Sequence, residues 1–240
     1  MGLFSTTLHL YEKDQAEVIN SLKDVLSEKQ LLTLNRIEIL PGNFQNVLES
    51  NVFSNVGVYY LITEKYDKWI TIIEVNVNIT NAFYLYELGS SLSSKLNTYA
   101  LSFHLHDDDV LYYNLDYNGE SLDGYNSNVQ YFEHERLSKD EVISQRHDAT
   151  PFSKILPGNK SIEGLNQILD RGYWQAFDND DLDKDGTPNG DRYDTVEEDR
   201  LKEIGSYLEI YSNDDFPYAN WYEDIQKSDV AKCYLLKATK

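Results

Sequence analysis

The densest run of metal-competent oxygens in the chain extends from Asp181 to Arg192 and reads Asp-Leu-Asp-Lys-Asp-Gly-Thr-Pro-Asn-Gly-Asp-Arg. Carboxylates recur at every second position, at Asp181, Asp183 and Asp185. Gly186 follows at once, then Thr187 and Asn189. A hard cation such as calcium prefers a dense set of oxygen ligands, and a glycine turn lets a short loop wrap it. Helical patterns precede and follow the run. The same residues also suit a solvated acidic loop, because Asp, Asn and Gly are turn formers in their own right.

A second cluster consists of His104, His106 and Asp107, Asp108 and Asp109. The two imidazoles share the polar face of one expected strand, and the carboxylates come directly after. Imidazole with carboxylate binds zinc, iron or manganese. A metal-dependent hydrolase using these five residues is therefore one reading. Strand alternation alone also puts both His on the exposed face, and an Asp-rich tip is an ordinary turn. Nucleophile and nucleotide motifs are absent: the sequence holds no G-x-S-x-G, no Walker A loop and no G-x-G-x-x-G. The single cysteine, Cys233, excludes an intrachain disulfide and a thiolate zinc cluster. It reads as a small buried hydrophobe. Tyr84, Tyr86, Tyr112 and Trp221 are either sheet-face filler or a binding patch.

The Asp181–Arg192 run resembles the calcium loop of EF-hand and dockerin-type proteins. On that resemblance, Asp181, Asp183 and Asp185 stand at the first, third and fifth ligand positions. Gly186 stands where the loop turns sharply, Thr187 offers its backbone carbonyl, and Asn189 falls at the ninth position. The loop departs from the pattern at its twelfth position, where Arg192 replaces the bidentate Glu. Asp191, Asp194 or Glu197 would have to supply that ligand.

Charge narrows the partners. The 41 acidic residues outnumber 21 basic ones, giving −20. Such a chain repels nucleic-acid phosphates and anionic membranes and attracts a basic protein. The charge also serves solubility alone. No basic stretch followed by an apolar run opens the sequence, and no run approaches the length of a membrane span, so the expected location is cytoplasmic. Gly2 with Ser5 and Thr6 loosely meets a myristoylation pattern.

The elements that must position these groups read as follows. Leu3 to Tyr11 alternates as a strand. Asp14, with Glu17 as its capping-box partner, opens an amphipathic helix over 15–28. Strands are expected near 36–40, 56–63 and 68–75, with a turn at 64–67. A helix from Asn81 lines up Leu85, Leu88, Leu92 and Leu96, and Gly89 inside it costs about 1 kcal/mol relative to Ala. Ser90, Ser91, Ser93 and Ser94 fall on its remaining surface. Three strands follow at 99–106, 110–117 and from Glu120 to about Gly124, the last two joined by Asn118-Gly119, a pair suited to a tight hairpin. Helices are expected from Ser138 to about Arg146, over 162–177 and from Thr195, with a closing strand over 230–238. The implied class is α+β: a mostly antiparallel sheet with helices on one face, ferredoxin-like or a related α/β sandwich, followed by a mainly helical C-terminal half. The boundary falls near residue 128, giving a sheet domain over 1–127 and a helical region over 128–240, either separate or docked as one domain.

The block from Leu92 to Ser127 resembles a segment of uncharacterised bacterial cytosolic proteins that carry a short helix, an Asp-containing turn, a Tyr- and Leu-rich strand and an Asn-Ser turn. Glu198 to Ile210 is similar to their later helix. The resemblance implies no activity and no functional residues. The chain is also similar in size, charge and lack of catalytic motifs to immunity proteins that neutralise bacterial toxins. The expected function is a non-enzymatic, cytoplasmic acidic protein that binds a basic protein partner, with calcium binding as the alternative.

Overall fold

The computed structural model describes residues 4–29, 32–39, 57–77, 84–107, 109–129, 131, 137–144, 147–170, 193, 197–211 and 233–239. Eight strands and five α-helices occur among them: β1 (Phe4–Tyr11), α1 (Gln15–Glu28), β2 (Leu32–Ile39), β3 (Gly57–Tyr66), β4 (Trp69–Val77), α2 (Tyr84–Leu96), β5 (Tyr99–His106), β6 (Val110–Tyr117), β7 (Glu120–Asn126), α3 (Lys139–Ser144), α4 (Ile162–Leu169), α5 (Glu197–Tyr207) and β8 (Cys233–Thr239). The class is α+β. The strands form one sheet in the order β2-β8-β3-β4-β1-β5-β6-β7. The pairs β1–β4, β3–β4, β3–β8 and β2–β8 are antiparallel. Among the described residues no helix is long and apolar enough to cross a membrane.

The chain groups into two compact units. One comprises Met1–Phe4, His104–Tyr113 and Gly124–Leu208; the other comprises Ser5–Phe103, Asn114–Asp123 and Glu209–Lys240.

The second of these units is built on helical and strand periodicities that meet on one sheet face. α1 buries Val18, Ile19, Leu22, Val25 and Leu26, spaced three and four apart. α2 buries Leu85, Leu88, Leu92 and Leu96 in the same way. These side chains join Leu8 and Leu10 of β1, Tyr60 and Ile62 of β3, Ile70 and Ile72 of β4 and Ala100 of β5 in one core. Register explains the selection. Leu8 pairs with Ile72, and Leu10 with Ile70, so alternation sends all four to the helix-covered face.

Local chemistry sets the helix ends. The Asp14 N–H donates to Glu17 Oε2 at 3.2 Å, which opens α1. Glu74 of β4, itself buried, accepts from the Leu85 N–H at 2.6 Å. A carboxylate there satisfies an orphan donor and opposes the positive end of the α2 dipole. α2 stops in a Schellman arrangement. Thr98 N–H donates to Ser93 O, Asn97 N–H donates to Ser94 O, and Asn97 takes φ +47°.

Two serines expected on the outer surface of α2 hold the β6–β7 turn instead. Ser93, fully buried, accepts from the Gly119 N–H at 2.9 Å, and Ser90 Oγ donates to Gly119 O at 2.8 Å. The turn has the expected left-handed backbone at Asn118 (φ +51°) and Gly119 (φ +87°). A side chain at Gly119 would also press on Ser94.

The other unit holds α3 to α5 and a short 3-10 turn at Thr150–Lys154. Ser138 caps α3: its N–H and its hydroxyl donate to Glu141 Oε2, and its Oγ accepts from the Glu141 N–H. Ser161 Oγ accepts from the Gly164 N–H at the start of α4. α5 carries a buried ion pair, Arg200 Nε to Glu197 Oε2 at 2.9 Å. Arg200 Nη1 donates to the carbonyls of Ile168 (2.6 Å) and Asp170 (3.4 Å), closing the C-terminal end of α4.

Candidate functional site

The expected calcium ligands Asp181, Asp183, Asp185, Thr187 and Asn189 lie outside the described residues. The His cluster lies at the β5–β6 hairpin. His104 and His106 project from one face of β5 with ring centroids 6.2 Å apart. Both rings are half-buried and engaged with tyrosines: His104 stacks on Tyr112 at 6.1 Å, and His106 meets Tyr131 edge-on at 5.9 Å. The Tyr131 hydroxyl donates to Asp109 Oδ2 at 3.3 Å. Partial burial, then the Asp109 and Asp107 carboxylates, hold that hydroxyl above the usual phenol range. Asp107 takes φ +55°, a left-handed conformation that Asp tolerates at a turn. Among the described residues no three His, Cys, Asp or Glu side chains gather where they could hold a metal ion. The described hairpin residues thus offer an aromatic-packed imidazole pair beside an acidic tip.

Of two further histidines, His9 is fully buried and His147 half-buried. His147 Nε2 and the Tyr113 hydroxyl share a 2.5 Å hydrogen bond, and Tyr125 and Phe152 pack edge-on or stacked against the same pair. Burial lowers His147 to about 4, against the raising influence of Asp148. His9 on β1 is fully buried, bridging Thr7 Oγ1 (3.0 Å) and Thr71 Oγ1 (2.9 Å), with Phe103 edge-on at 5.4 Å. Burial lowers it to about 3. Each is a neutral imidazole hydrogen-bonded to hydroxyl groups.

A row of aromatic rings on the sheet was not expected from the sequence. At one end of the sheet each of five neighbouring strands, β3-β4-β1-β5-β6, contributes one ring: Tyr66, Trp69, Tyr11, Tyr99 and Tyr117. Tyr66 and Tyr11 both pair in register with Trp69. Ring centroids are 4.9 Å apart for Tyr11–Trp69, 6.3 Å for Tyr11–Tyr99 and 4.5 Å for Tyr99–Tyr117. The ladder lies on the face opposite α1 and α2, since Tyr11 follows Thr7 and His9 in alternation while Leu8 and Leu10 meet the helices. Lys68 Nζ sits over the Tyr11 ring, 5.5 Å from its centroid, donates to the Tyr11 hydroxyl at 3.1 Å and lies 3.7 Å from Glu12. The signal in the sequence was the company these rings keep. Tyr11, Tyr66, Tyr99 and Tyr117 each lie within two residues of a position with left-handed backbone: Glu12, Asp67, Asn97 and Asn118.

No family model, curated protein or solved structure matches the chain.

Proposed function

We propose that the chain is a non-enzymatic, cytoplasmic acidic protein that binds a basic protein partner, in the manner of an immunity protein that neutralises a toxin. The observation that carries the reading is the excess of 41 acidic over 21 basic residues. A field of that sign speeds encounter with a cationic surface and repels phosphate backbones and anionic membranes. The local pattern agrees. Lys95 is shared between Asp24 and Glu28, so that even a paired surface cation leaves a net negative patch. Exposed pairs of this kind contribute little to stability, which leaves their charge for recognition.

The fold belongs to the same reading. The order β3-β4-β1-β5, with α1 between β1 and β3 along the chain and α2 between β4 and β5, supports a ferredoxin-like core. β2 and β8 widen one edge, and β6 and β7 the other. α3, α4 and α5 support a mainly helical region after residue 128.

The test is affinity capture from the native host, followed by association kinetics with the captured protein at about 50 and 300 mM salt. The expected partner is basic, and its association rate falls at least tenfold between the two salts. An acidic partner, or rates indifferent to salt, would overturn the reading.

A second reading rests on the spacing of Asp181, Asp183 and Asp185. It is a calcium site that stabilises the chain, with Thr187 and Asn189 as further ligands. Calcium titrated into chelator-treated protein should release or absorb heat and raise Tm, and Asp183→Asn should abolish both. No heat and no Tm shift in the parent protein removes this reading.

A further inference from the structure

We propose that the tyrosine ladder at the end of the sheet is a docking surface for an arginine-rich segment of a protein partner. The inference deepens the basic-partner reading above and rests on it.

The rings supply the first argument. The outer two members of the ladder are open to solvent, Tyr66 at 46% and Tyr117 at 37%; Tyr11 and Tyr99 between them are half-buried, and Trp69, beside Tyr66, is buried at 1%. Inner rings held by packing, with exposed rings at both ends, make a rigid aromatic platform, and ordering it costs a partner little. Adjacent strands lie about 4.8 Å apart, so the outer rings stand roughly 19 Å apart across four strand intervals. An extended peptide of about six residues spans that distance.

Charge chooses the occupant. The ladder already holds one cation, the Lys68 ammonium over Tyr11. Exposed carboxylates stand beside it: Glu12 follows Tyr11, Glu64 and Asp67 flank Tyr66, and Glu120 follows the turn after Tyr117. A ring face attracts a cation through its quadrupole, and a nearby carboxylate adds a charge-assisted partner. The guanidinium group suits such a surface better than an ammonium, because it is planar, weakly hydrated and stacks on rings while donating in its own plane. A nucleic acid strand would also stack on these rings, but the −20 chain repels its phosphates. A neutral oligosaccharide would stack without using the carboxylates.

The test uses the full chain and fluorescently labelled octa-arginine, octa-lysine and a neutral hexasaccharide in equilibrium titrations. Octa-arginine should bind at least threefold more tightly than octa-lysine. The double variant Tyr66→Ala/Tyr117→Ala should lose that preference and weaken octa-arginine binding about tenfold, with an unchanged circular dichroism spectrum showing that it folds. Because both side chains are surface-exposed, the single variants provide the same readout at smaller amplitude if the double variant is unstable. Salt-dependent octa-arginine binding that the tyrosine variants leave unchanged would overturn the ladder and leave the basic-partner reading standing. Absence of binding to either cationic peptide would overturn both. Preferential binding of the hexasaccharide would replace the arginine-rich segment with a sugar.

Discussion

A methyl group placed on Gly89 would fall 2.9 Å from Asp116 Oδ2 and 3.6 Å from Leu8 Cδ1. α2 and β6 approach so closely here that only a residue without a side chain fits in the helix. The approach accounts for a glycine in the middle of an otherwise Leu- and Ser-rich helix, where Ala would ordinarily be favoured by about 1 kcal/mol. Gly89→Ala should therefore destabilise the protein by about 1–2 kcal/mol despite the better helix former, because the carboxyl group has to move. Asp116→Ala should relieve part of that cost. A double-mutant cycle read by urea unfolding should give a coupling above about 0.5 kcal/mol. Additive effects would contradict the contact.

The same carboxyl group sets a pH dependence. Asp116 is buried, its Oδ1 accepts from Asn114 Nδ2 at 2.8 Å, and its Oδ2 has no hydrogen-bond partner among the described residues. Burial raises its pKa, and the Asn114 hydrogen bond opposes the rise only in part. The folded chain thus holds this proton to higher pH than the unfolded chain. Stability falls as pH rises from the ordinary carboxylate range through the raised value, and the penalty persists at neutral pH. Asp116→Asn should stabilise the protein at pH 7 by on the order of 1 kcal/mol and give no gain near pH 3.5. Equal effects of the substitution at both pH values would refute the argument.

His9 and His147 act in the opposite sense. Both are lowered by burial, to about 3 and about 4, so both are neutral in the folded protein at pH 7. The unfolded chain takes up protons on them below about 6.5. Stability is fully present above that value and is lost as pH falls, through about 4 for His147 and about 3 for His9. Each contributes a slope of about 1.4 kcal/mol per pH unit. Between about pH 6 and 5, where the unfolded imidazoles are not yet fully protonated, the two together should give about 2.4 kcal/mol per unit, and His147→Gln should halve the slope. An unchanged slope in that variant would show that His147 titrates normally.

Arg200 and Glu197 offer a test in the helical unit. Their ion pair is buried, and the Arg200 guanidinium also caps carbonyls at the end of α4 while its carbon lies 4.4 Å from the Tyr193 ring centroid. Removing the cation strands a buried carboxylate and two backbone acceptors. Arg200→Met should cost about 3–5 kcal/mol in chemical unfolding. Arg200→Lys should recover little, since an ammonium cannot span the carboxylate, both carbonyls and the ring. Adding Glu197→Gln to Arg200→Met should return part of the loss. A cost below 1 kcal/mol for Arg200→Met would mean that the pair is solvated.

Features written in short-range pattern were legible in the sequence. α1 begins and ends where Asp14, Glu17 and the spacing of Val18, Ile19, Leu22, Val25 and Leu26 place it. β5 and β6 have the expected bounds, although Ser102 and Asp116 are buried against the alternation and Tyr117 is exposed, and the Asn118-Gly119 turn has the expected backbone. Features that depend on which strands become neighbours were not legible. Glu74 reaches the start of α2 only because β4 lies beneath it, and Ser93 is buried only because the β6–β7 turn folds against the helix. The aromatic ladder needs a strand order that no local window contains. Tyr66 shows the same limit at smaller scale: the expected turn at 64–67 is strand as far as Tyr66, because pairing with Trp69 extends the β3–β4 hairpin. His104 and His106 were rightly placed on one strand face. Their tyrosine neighbours, Tyr112 on the next strand and Tyr131 beyond it, required the fold.

β8 pairs with β2 on one side and β3 on the other, so residues 233–239 sit between strands that precede them by well over a hundred positions. During synthesis the ribosome delivers β2 and β3 long before the strand that joins them. Until then the outer edge of β3 presents unpaired amides and carbonyls, the arrangement that seeds pairing between chains. The final insertion must also close a long loop, which slows it. The nascent chain therefore passes through an interval of exposure that ends only when β8 arrives, and a holdase chaperone bound along the β3 edge would shield it for that interval.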